Sequence, residues 1–230
     1  LTSISHDLKT PLAAIIGAAG TLRDFPAFLD EEAKADLVRT IQDESERLNR
    51  FIANLLDMTK LEAGAVRPNT APHEVGEIVG TALQRADKVL SGHRIEVELA
   101  PDMPMVDVDP VLVEQVLFNL LDNAAKYAPP KTTVCIQGRP DAGGRAVYLQ
   151  VLDEGEGIPQ TDLEHIFEKF HRARKGDSVR AGTGLGLAIC RGFVEAMDGT
   201  ITAGNRSDRP GAVFTITLPA APAAPLDVVA

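Results

Sequence analysis

Tryptophan is absent, and aromatic residues supply only 4% of the sequence, so a stacking platform for nucleic-acid bases is excluded. Cysteine is nearly absent too. Cys135 and Cys190 stand far apart without a C-x-x-C spacing, which supplies neither a disulfide framework nor a zinc site and suits a reducing compartment. No apolar run reaches the ~18 residues that a membrane helix needs. Positive charge is the minority sign, with 23 Lys+Arg against 33 Asp+Glu and a net charge of −10. That balance repels phosphate backbones and anionic surfaces at long range, so neither nucleic acid nor membrane is an expected partner of this segment. An initiating methionine is also missing. The chain opens on Leu1 inside a helical pattern and reads as a piece cut from something longer.

What is present is an ordinary globular composition, 44% hydrophobic and 24% charged over 230 residues, enough for one large or two modest domains. The charge is uneven. Between Lys169 and Arg180 five basic residues face Asp177 alone, a local +4 in an otherwise acidic chain. Such an island points to an anionic ligand.

Residues 1–63 read as a helical hairpin. Leu8, Leu12, Ile15, Ile16, Ala19 and Leu22 recur at helical steps until Phe25-Pro26 stops the helix. Asp30-Glu31-Glu32 caps a second helix, whose seam runs Val38, Ile41, Ser45, Leu48, Ile52, Leu55 and Thr59. Leu37, Phe51 and Leu56 widen that stripe beyond what one partner helix covers, so dimerisation into a four-helix bundle is expected. Only five residues precede His6, which predicts a frayed start and a weakened dimer. Residues 64–73, rich in Gly, Pro, Asn and Thr, read as a linker.

From residue 74 to 219 the pattern predicts an α+β domain, a two-layer sandwich with mostly antiparallel strands. A helix near Val75–Leu83 is followed by a strand at Arg94–Leu99 and a strong helix at Pro110–Tyr127. Strands at Thr132–Gly138 and Ala146–Leu152, a helix at Leu185–Met197 and strands at Gly199–Ala203 and Ala212–Leu218 follow. Residues 220–230 are Ala/Pro-rich and read as a disordered tail.

Four segments carry chemistry. Gly182-Thr183-Gly184-Leu185-Gly186 precedes a helix, where glycines let backbone N–H groups reach phosphate oxygens; tight packing explains them equally well. A Rossmann turn is excluded because no strand leads in, and a Walker loop because Leu187 follows Gly186. Asp153-Glu154-Gly155-Glu156-Gly157 ends an apolar strand, so Asp153 is placed either to accept from an amine or to cap a turn. Asn119 and Asn123 share a face of an apolar helix, where amides are costly unless partnered and where hard oxygen ligands suit Mg²⁺. In Ser5-His6-Asp7-Leu8-Lys9-Thr10, a neutral imidazole beside a carboxylate is a usable nucleophile with a base. Thr10 lies one turn on, although a surface His beside an acid commonly does nothing.

Taken in order, "SHDLKTPL", "NLLDNAAKY", "DEGEGIP", "IFEKFHR" and "GTGLGLAI" resemble the motifs of bacterial two-component sensor histidine kinases. "SISHDLKTPLAAIIGAAGTLRD" and "ESERLNRFIANLLDMTKLEAG" resemble more narrowly the Kdp-type potassium-responsive kinases. The resemblance implies a C-terminal domain of the gyrase, Hsp90 and histidine-kinase ATP-binding type. It implies autophosphorylation on His6, with Asp7 as base and Thr10 orienting water in the reverse, dephosphorylating reaction. Mg²⁺ would be held by Asn123, and ATP would meet Asn119, Lys126, Tyr127 and Asp153. Gly155, Gly157, Gly182, Thr183, Gly184, Leu185 and Gly186 would shape the nucleotide site and its lid. Phe167 and Phe170 would anchor that lid, and its basic part would offer Arg172 or Lys175 to the phosphates.

His171 stands where the family often has Tyr and receives no role, while His73, His93 and His165 read as surface residues. The wider ATPase superfamily commonly has Glu where Asn119 stands. An amide cannot activate water, so Asn119 favours transfer to a protein over hydrolysis. The implied partners are a second copy of the chain and the receiver domain of a response regulator. The implied location is the cytoplasmic side of a membrane-attached sensor, and the narrower resemblance implies a response to potassium or osmotic stress. Two other functions compete: a phosphatase acting mainly through Thr10, and a docking module without catalysis, which the intact motif residues argue against.

Overall fold

The computed structural model describes residues 2–171 and 184–222, with side chains from residue 8 onward. The chain forms two compact units that divide between Thr59 and Lys60.

The first unit consists of helix α1 (Thr2–Asp24), a short 3-10 turn (Pro26–Phe28) and most of helix α2 (Glu31–Glu62). Asp30 caps α2 by accepting the Ala33 N–H at 2.7 Å, and Glu31 and Glu32 place negative charge at the positive helix end. Pro11 lies inside α1. Lacking an N–H, it leaves the Asp7 carbonyl, four residues back, without its usual intrahelical donor. The covered side of α1 passes through Pro11 and Ala18, and that of α2 through Leu37, Ile41, Leu48, Phe51, Leu55 and Met58. This stripe is rotated by one residue from part of the expected seam. Val38, Ile52 and Leu56 remain 45%, 44% and 55% exposed, as do Leu12 and Ile16 on α1 at 47% and 63%. A second apolar stripe therefore faces outward.

In the second unit β1 (Ala71–His73) pairs antiparallel with β3 (Val106–Val108). The end of the segment expected as a linker is thus a strand. Helix α3 (Val75–Leu90) and strand β2 (Arg94–Leu99) precede β3, and α4 (Pro110–Tyr127) follows it. Asp109 fixes the start of α4: its Oδ1 accepts the N–H groups of Val111 at 3.0 Å and Leu112 at 3.4 Å, with Pro110 in the first turn. Such a cap contributes about 1 kcal/mol.

Strands β4 (Thr133–Pro140), β5 (Ala146–Leu152), β6 (Thr200–Asn205) and β7 (Ala212–Pro219) join β2 in a five-stranded sheet ordered β2-β4-β5-β7-β6. Only β2 and β4 run parallel, with β3 and α4 forming the crossover between them. The other pairs are antiparallel. Alternate residues of β4, β5 and β7 are buried, among them Val134, Ile136, Leu149, Val151, Phe214 and Ile216. They form the core with α3, α4 and α5 (Gly186–Ala196). The opposite sheet face is more polar, as the period of two requires. The β4–β5 turn closes on Asp141, whose Oδ1 accepts from the Arg145 N–H at 2.6 Å and the Ala146 N–H at 3.0 Å. Those backbone bonds, Ala146 foremost, hold its carboxyl below the usual range.

After β7 the chain stays attached. Ala220 N–H donates to the Arg145 carbonyl at 3.0 Å and Ala221 N–H to the Met105 carbonyl at 2.7 Å. The start of the expected disordered tail is therefore ordered edge backbone, and residues 223–230 lie outside the described part. Among the described residues, no helix is long and apolar enough to cross a membrane.

Candidate nucleotide site

Helix α4 carries the amide-bearing face. Asn119 is buried and its Nδ2 has no hydrogen-bond partner among the described residues. A buried donor costs roughly 1–3 kcal/mol when nothing accepts from it. Its neighbour is the first residue of α5: a Cβ built on Gly186 would lie 3.9 Å from the Asn119 Cγ. Leu185, fully buried, supplies no side-chain cap to α5. The start of that helix thus lies beside a buried amide, and a helix N-terminus offers N–H groups suited to an anion.

Asn123, four residues along α4, is half-buried. Lys126 forms an ion pair with Asp122 on the same helix, and Tyr127 ends the helix half-exposed. From Asn119 to Tyr127 the rise is about 12 Å along the helix axis, on the scale of a nucleotide's base-to-phosphate span.

At the Tyr127 end stands the second cluster. Asp153 follows β5 and is buried; its Oδ1 accepts the Gly155 N–H at 2.8 Å and the Ala212 N–H at 3.1 Å. A Cβ on Gly155 would come within 3.0 Å of both that Oδ1 and the Tyr127 carbonyl oxygen. Glycine is required there so that the loop can lie against the end of α4. Gly157 has φ +78, and Asn205 clamps the next residue: its Oδ1 accepts the Ile158 N–H at 2.6 Å and its Nδ2 donates to the Ile158 carbonyl at 2.8 Å. Sequence reasoning missed this clamp, which spans 47 positions.

The third cluster flanks α5. Gly184 has φ +68, with the Phe170 backbone 2.7 Å from where its Cβ would stand. Phe170 has φ +62, an uncommon conformation for a bulky residue, and its N–H donates to the Gly184 carbonyl at 2.9 Å. Phe167 is buried under the Arg191 guanidinium, 4.4 Å from the ring centre, whereas Phe170 is 42% exposed. Of the two expected anchors, Phe167 is thus the packed one. Arg172, Lys175, Gly182 and Thr183 lie outside the described residues.

Several titratable groups lie near the clusters or elsewhere in this unit. Burial pushes the Cys190 thiol up to about 12. His171, given no role by its sequence context, has a buried Nε2 4.0 Å from Asp162 Oδ1 and without a hydrogen bond among the described residues. His165 is exposed and paired with Glu168 at 2.8 Å, which raises its pKa; His73 and His93 are half-buried. Elsewhere in the sheet, Glu96, Glu98 and Cys135 bring ligand atoms within 4.8 Å of one another. Glu98 already accepts from Gln137 at 2.8 Å, and no further feature there points to a bound ion.

In the first unit His6 and Asp7 lie on the backbone of α1. Thr10, four residues after His6 and therefore on the same side of the helix, is exposed.

Residues 108–222 match the family model described as "Histidine kinase-, DNA gyrase B-, and HSP90-like ATPase", and residues 1–64 match "His Kinase A (phospho-acceptor) domain". The sensor protein KdpD of Clostridium acetobutylicum is 41% identical over 220 residues, covering 95% of this chain and 24% of that protein. The sensor protein KdpD of Escherichia coli is 37% identical over 219 residues, again covering 95% of this chain and 24% of the relative. The chain therefore spans about a quarter of the length of these relatives. Among solved structures, the Acinetobacter baumannii histidine kinase AdeS superposes with a TM-score of 0.72 at 25% identity, covering 94% of this chain and 98% of that one.

Proposed function

This chain belongs to the sensor histidine kinases, as a KdpD-like kinase core with an ATP-binding domain, and we propose that it phosphorylates itself on His6 and passes the phosphoryl group to a response regulator. One observation carries the reading. Along α4, the Asn119 Nδ2, without a hydrogen-bond partner among the described residues, lies beside the start of α5 at one end, and Asp153, Gly155 and Tyr127 gather at the other.

In this reading the Asp153 carboxylate accepts from the adenine amino group, and the glycines around it admit the base against backbone. The start of α5 and the Asn119 amide bind phosphate oxygens, with Lys126, Arg172 and Lys175 contributing positive charge. Phosphoryl transfer depends mainly on positioning and charge neutralisation, which is what these groups supply. Asn123 would hold Mg²⁺, which would shield the negative charge of the triphosphate. Phe167 fixes the segment leading to the basic stretch, and Phe170 joins its backbone to Gly184.

His6 supplies the nucleophile. One imidazole nitrogen forms a bond to the γ-phosphorus as the bond from phosphorus to the bridging oxygen breaks, releasing ADP. Asp7 takes the proton from the other ring nitrogen. An aspartate of the receiver domain then attacks the phosphohistidine, and Thr10 orients water when the transferred group is removed. The outward stripe of Leu12, Ile16, Val38, Ile52 and Leu56 suits a second hairpin, giving a dimeric four-helix bundle. The whole protein is read as a membrane-attached sensor responding to potassium or osmotic stress.

The test is incubation of the chain with γ-labelled ATP and Mg²⁺. We expect acid-labile, alkali-stable label that is lost in His6→Ala while nucleotide binding persists. Equal labelling of His6→Ala, or no binding of ATP by the unaltered chain, overturns the reading.

A further inference from the structure

The β6–β7 hairpin reaches back over the Asp153 loop, and each contact comes from a residue that the sequence motifs do not include. Arg206 follows β6 and has a side chain only 10% exposed. Its guanidinium is held in a bidentate pair with Asp208, Nε to Oδ1 at 3.0 Å and Nη2 to Oδ2 at 2.8 Å. The remaining nitrogen, Nη1, donates to the Asp153 carbonyl at 3.3 Å. Asp208 sits at the exposed tip, and Arg206 holds its carboxyl far below the usual range. Arg209 binds the next residue of the motif, Glu154, at 2.8 Å and also Asp208 at 2.9 Å.

The hairpin is shaped for this approach. The Arg206 N–H donates to the Gly211 carbonyl at 3.0 Å. Any Cβ on Gly211 would fall 2.0 Å from the Asp153 carbonyl oxygen and 2.8 Å from the Arg206 Cδ. The Arg206 stem therefore covers Gly211 while its head reaches the carbonyl beyond. Asp153 is thus tied at every backbone group: its N–H donates to the Ala212 carbonyl at 3.1 Å and its carbonyl accepts from Arg206.

We propose that Arg206 is a positioning residue for base recognition: oriented by Asp208, it fixes the Asp153 backbone and so aims the Asp153 carboxylate that selects adenine. This rests on the reading of Asp153 as the adenine acceptor. A guanidinium is suited to the task because its planar fork satisfies the two Asp208 oxygens and the carbonyl at once. A hydrogen bond to a carbonyl from a fixed charge restrains the peptide without entering the site.

The experiment compares the 230-residue chain with Arg206→Ala, Arg206→Lys and Asp208→Asn. Calorimetry with Mg²⁺ measures affinity for non-hydrolysable analogues of ATP and GTP. Arg206→Ala should weaken the ATP analogue about tenfold and leave the GTP analogue unchanged, so that base selectivity falls by the same factor. Arg206→Lys, still able to donate to the Asp153 carbonyl, should restore part of the loss. Asp208→Asn, at an exposed tip, should give a smaller shift in the same direction. A folded Arg206→Ala with unchanged selectivity, or with both analogues weakened equally, overturns the proposal. If Arg206→Ala does not fold, unchanged selectivity in Asp208→Asn overturns it instead. Asp153→Asn separates the two ideas: if that variant keeps its adenine preference, the Asp153 reading fails, and the role of Arg206 fails with it.

Discussion

Asp153 and Ala212 bind each other reciprocally: the Asp153 N–H donates to the Ala212 carbonyl at 3.1 Å, and the Ala212 N–H donates to the Asp153 Oδ1 at 3.1 Å. The end of β5 and the start of β7 are thereby locked through the side chain proposed to read the base. Structure and recognition use different chemistry of that group, and Asp153→Asn separates them. An asparagine oxygen still accepts the Ala212 and Gly155 N–H groups, so unfolding free energy should change by no more than about 1 kcal/mol. The amide nitrogen, however, presents a donor where an acceptor is required. ATP affinity should fall at least about tenfold, which is one hydrogen bond replaced by a donor–donor clash. Denaturant titration and calorimetry on the same sample check both halves.

Glycines in this fold differ in what they tolerate. Gly144 has φ +65 with no atom within 4 Å of an added Cβ, so Gly144→Ala is limited to backbone strain, about 1 kcal/mol. Gly211 has φ +146 and an added Cβ would stand 2.0 Å from the Asp153 carbonyl oxygen. The β6–β7 hairpin must then move off the Asp153 loop. We expect Gly211→Ala to cost on the order of 3 kcal/mol or more and to weaken ATP binding, because it breaks both strain and contact limits. Urea unfolding of the two variants side by side gives the comparison. Equal stability of the pair contradicts it.

The two thiols should be inert in the folded chain. Burial pushes Cys190 up to about 12, and burial together with Glu98 and Glu96 raises Cys135. The thiolate is the reactive form, so at pH 8.5 neither group should react appreciably with an alkylating agent or an aromatic disulfide. Both should react rapidly once denaturant exposes them. Mass spectrometry of timed samples reads this directly, and rapid native labelling at Cys190 contradicts it.

What could be read from the residues follows a physical rule. Helix α4 was legible from end to end because Pro110 starts it, an apolar stripe runs through it, and Asn119 and Asn123 interrupt that stripe at a spacing with no structural need for amides. Strands β5 and β7 were legible by their period of two. The pair β1 and β3 was not, since three residues carry no period and Ala71-Pro72-His73 contains a proline. The outward stripe on the hairpin was visible as surplus apolar residues, but which stripe is covered depends on helix rotation and was misplaced by one residue. The supports of the site were hidden for another reason. Arg206 with Asp153, Arg209 with Glu154 and Asn205 with Ile158 are separated by 53, 55 and 47 positions. No local pattern encodes such pairings; the sheet register creates them.

Acid should loosen the nucleotide site through Glu154. Its Oε2 accepts the Thr133 N–H at 3.1 Å and its Oε1 the Arg209 guanidinium at 2.8 Å. These bonds, the Thr133 amide first, hold the carboxyl below its ordinary value. A depressed folded pKa means stability that is fully present above the unfolded pKa, near 4.5, and lost as pH falls through the lower folded value. Glu154→Gln keeps an acceptor for Thr133 but removes the charge that Arg209 pairs with. The variant should therefore be less stable than the unaltered chain at pH 6, with the gap narrowing as pH falls below about 4.5, where the unfolded chain takes up a proton that the folded carboxyl resists. The Arg209 partner is half-exposed, so 1 M salt should also narrow the gap at pH 6. Urea midpoints at the two pH values, with and without salt, check this; a gap that stays constant from pH 6 to pH 3 would show that the ion pair contributes nothing.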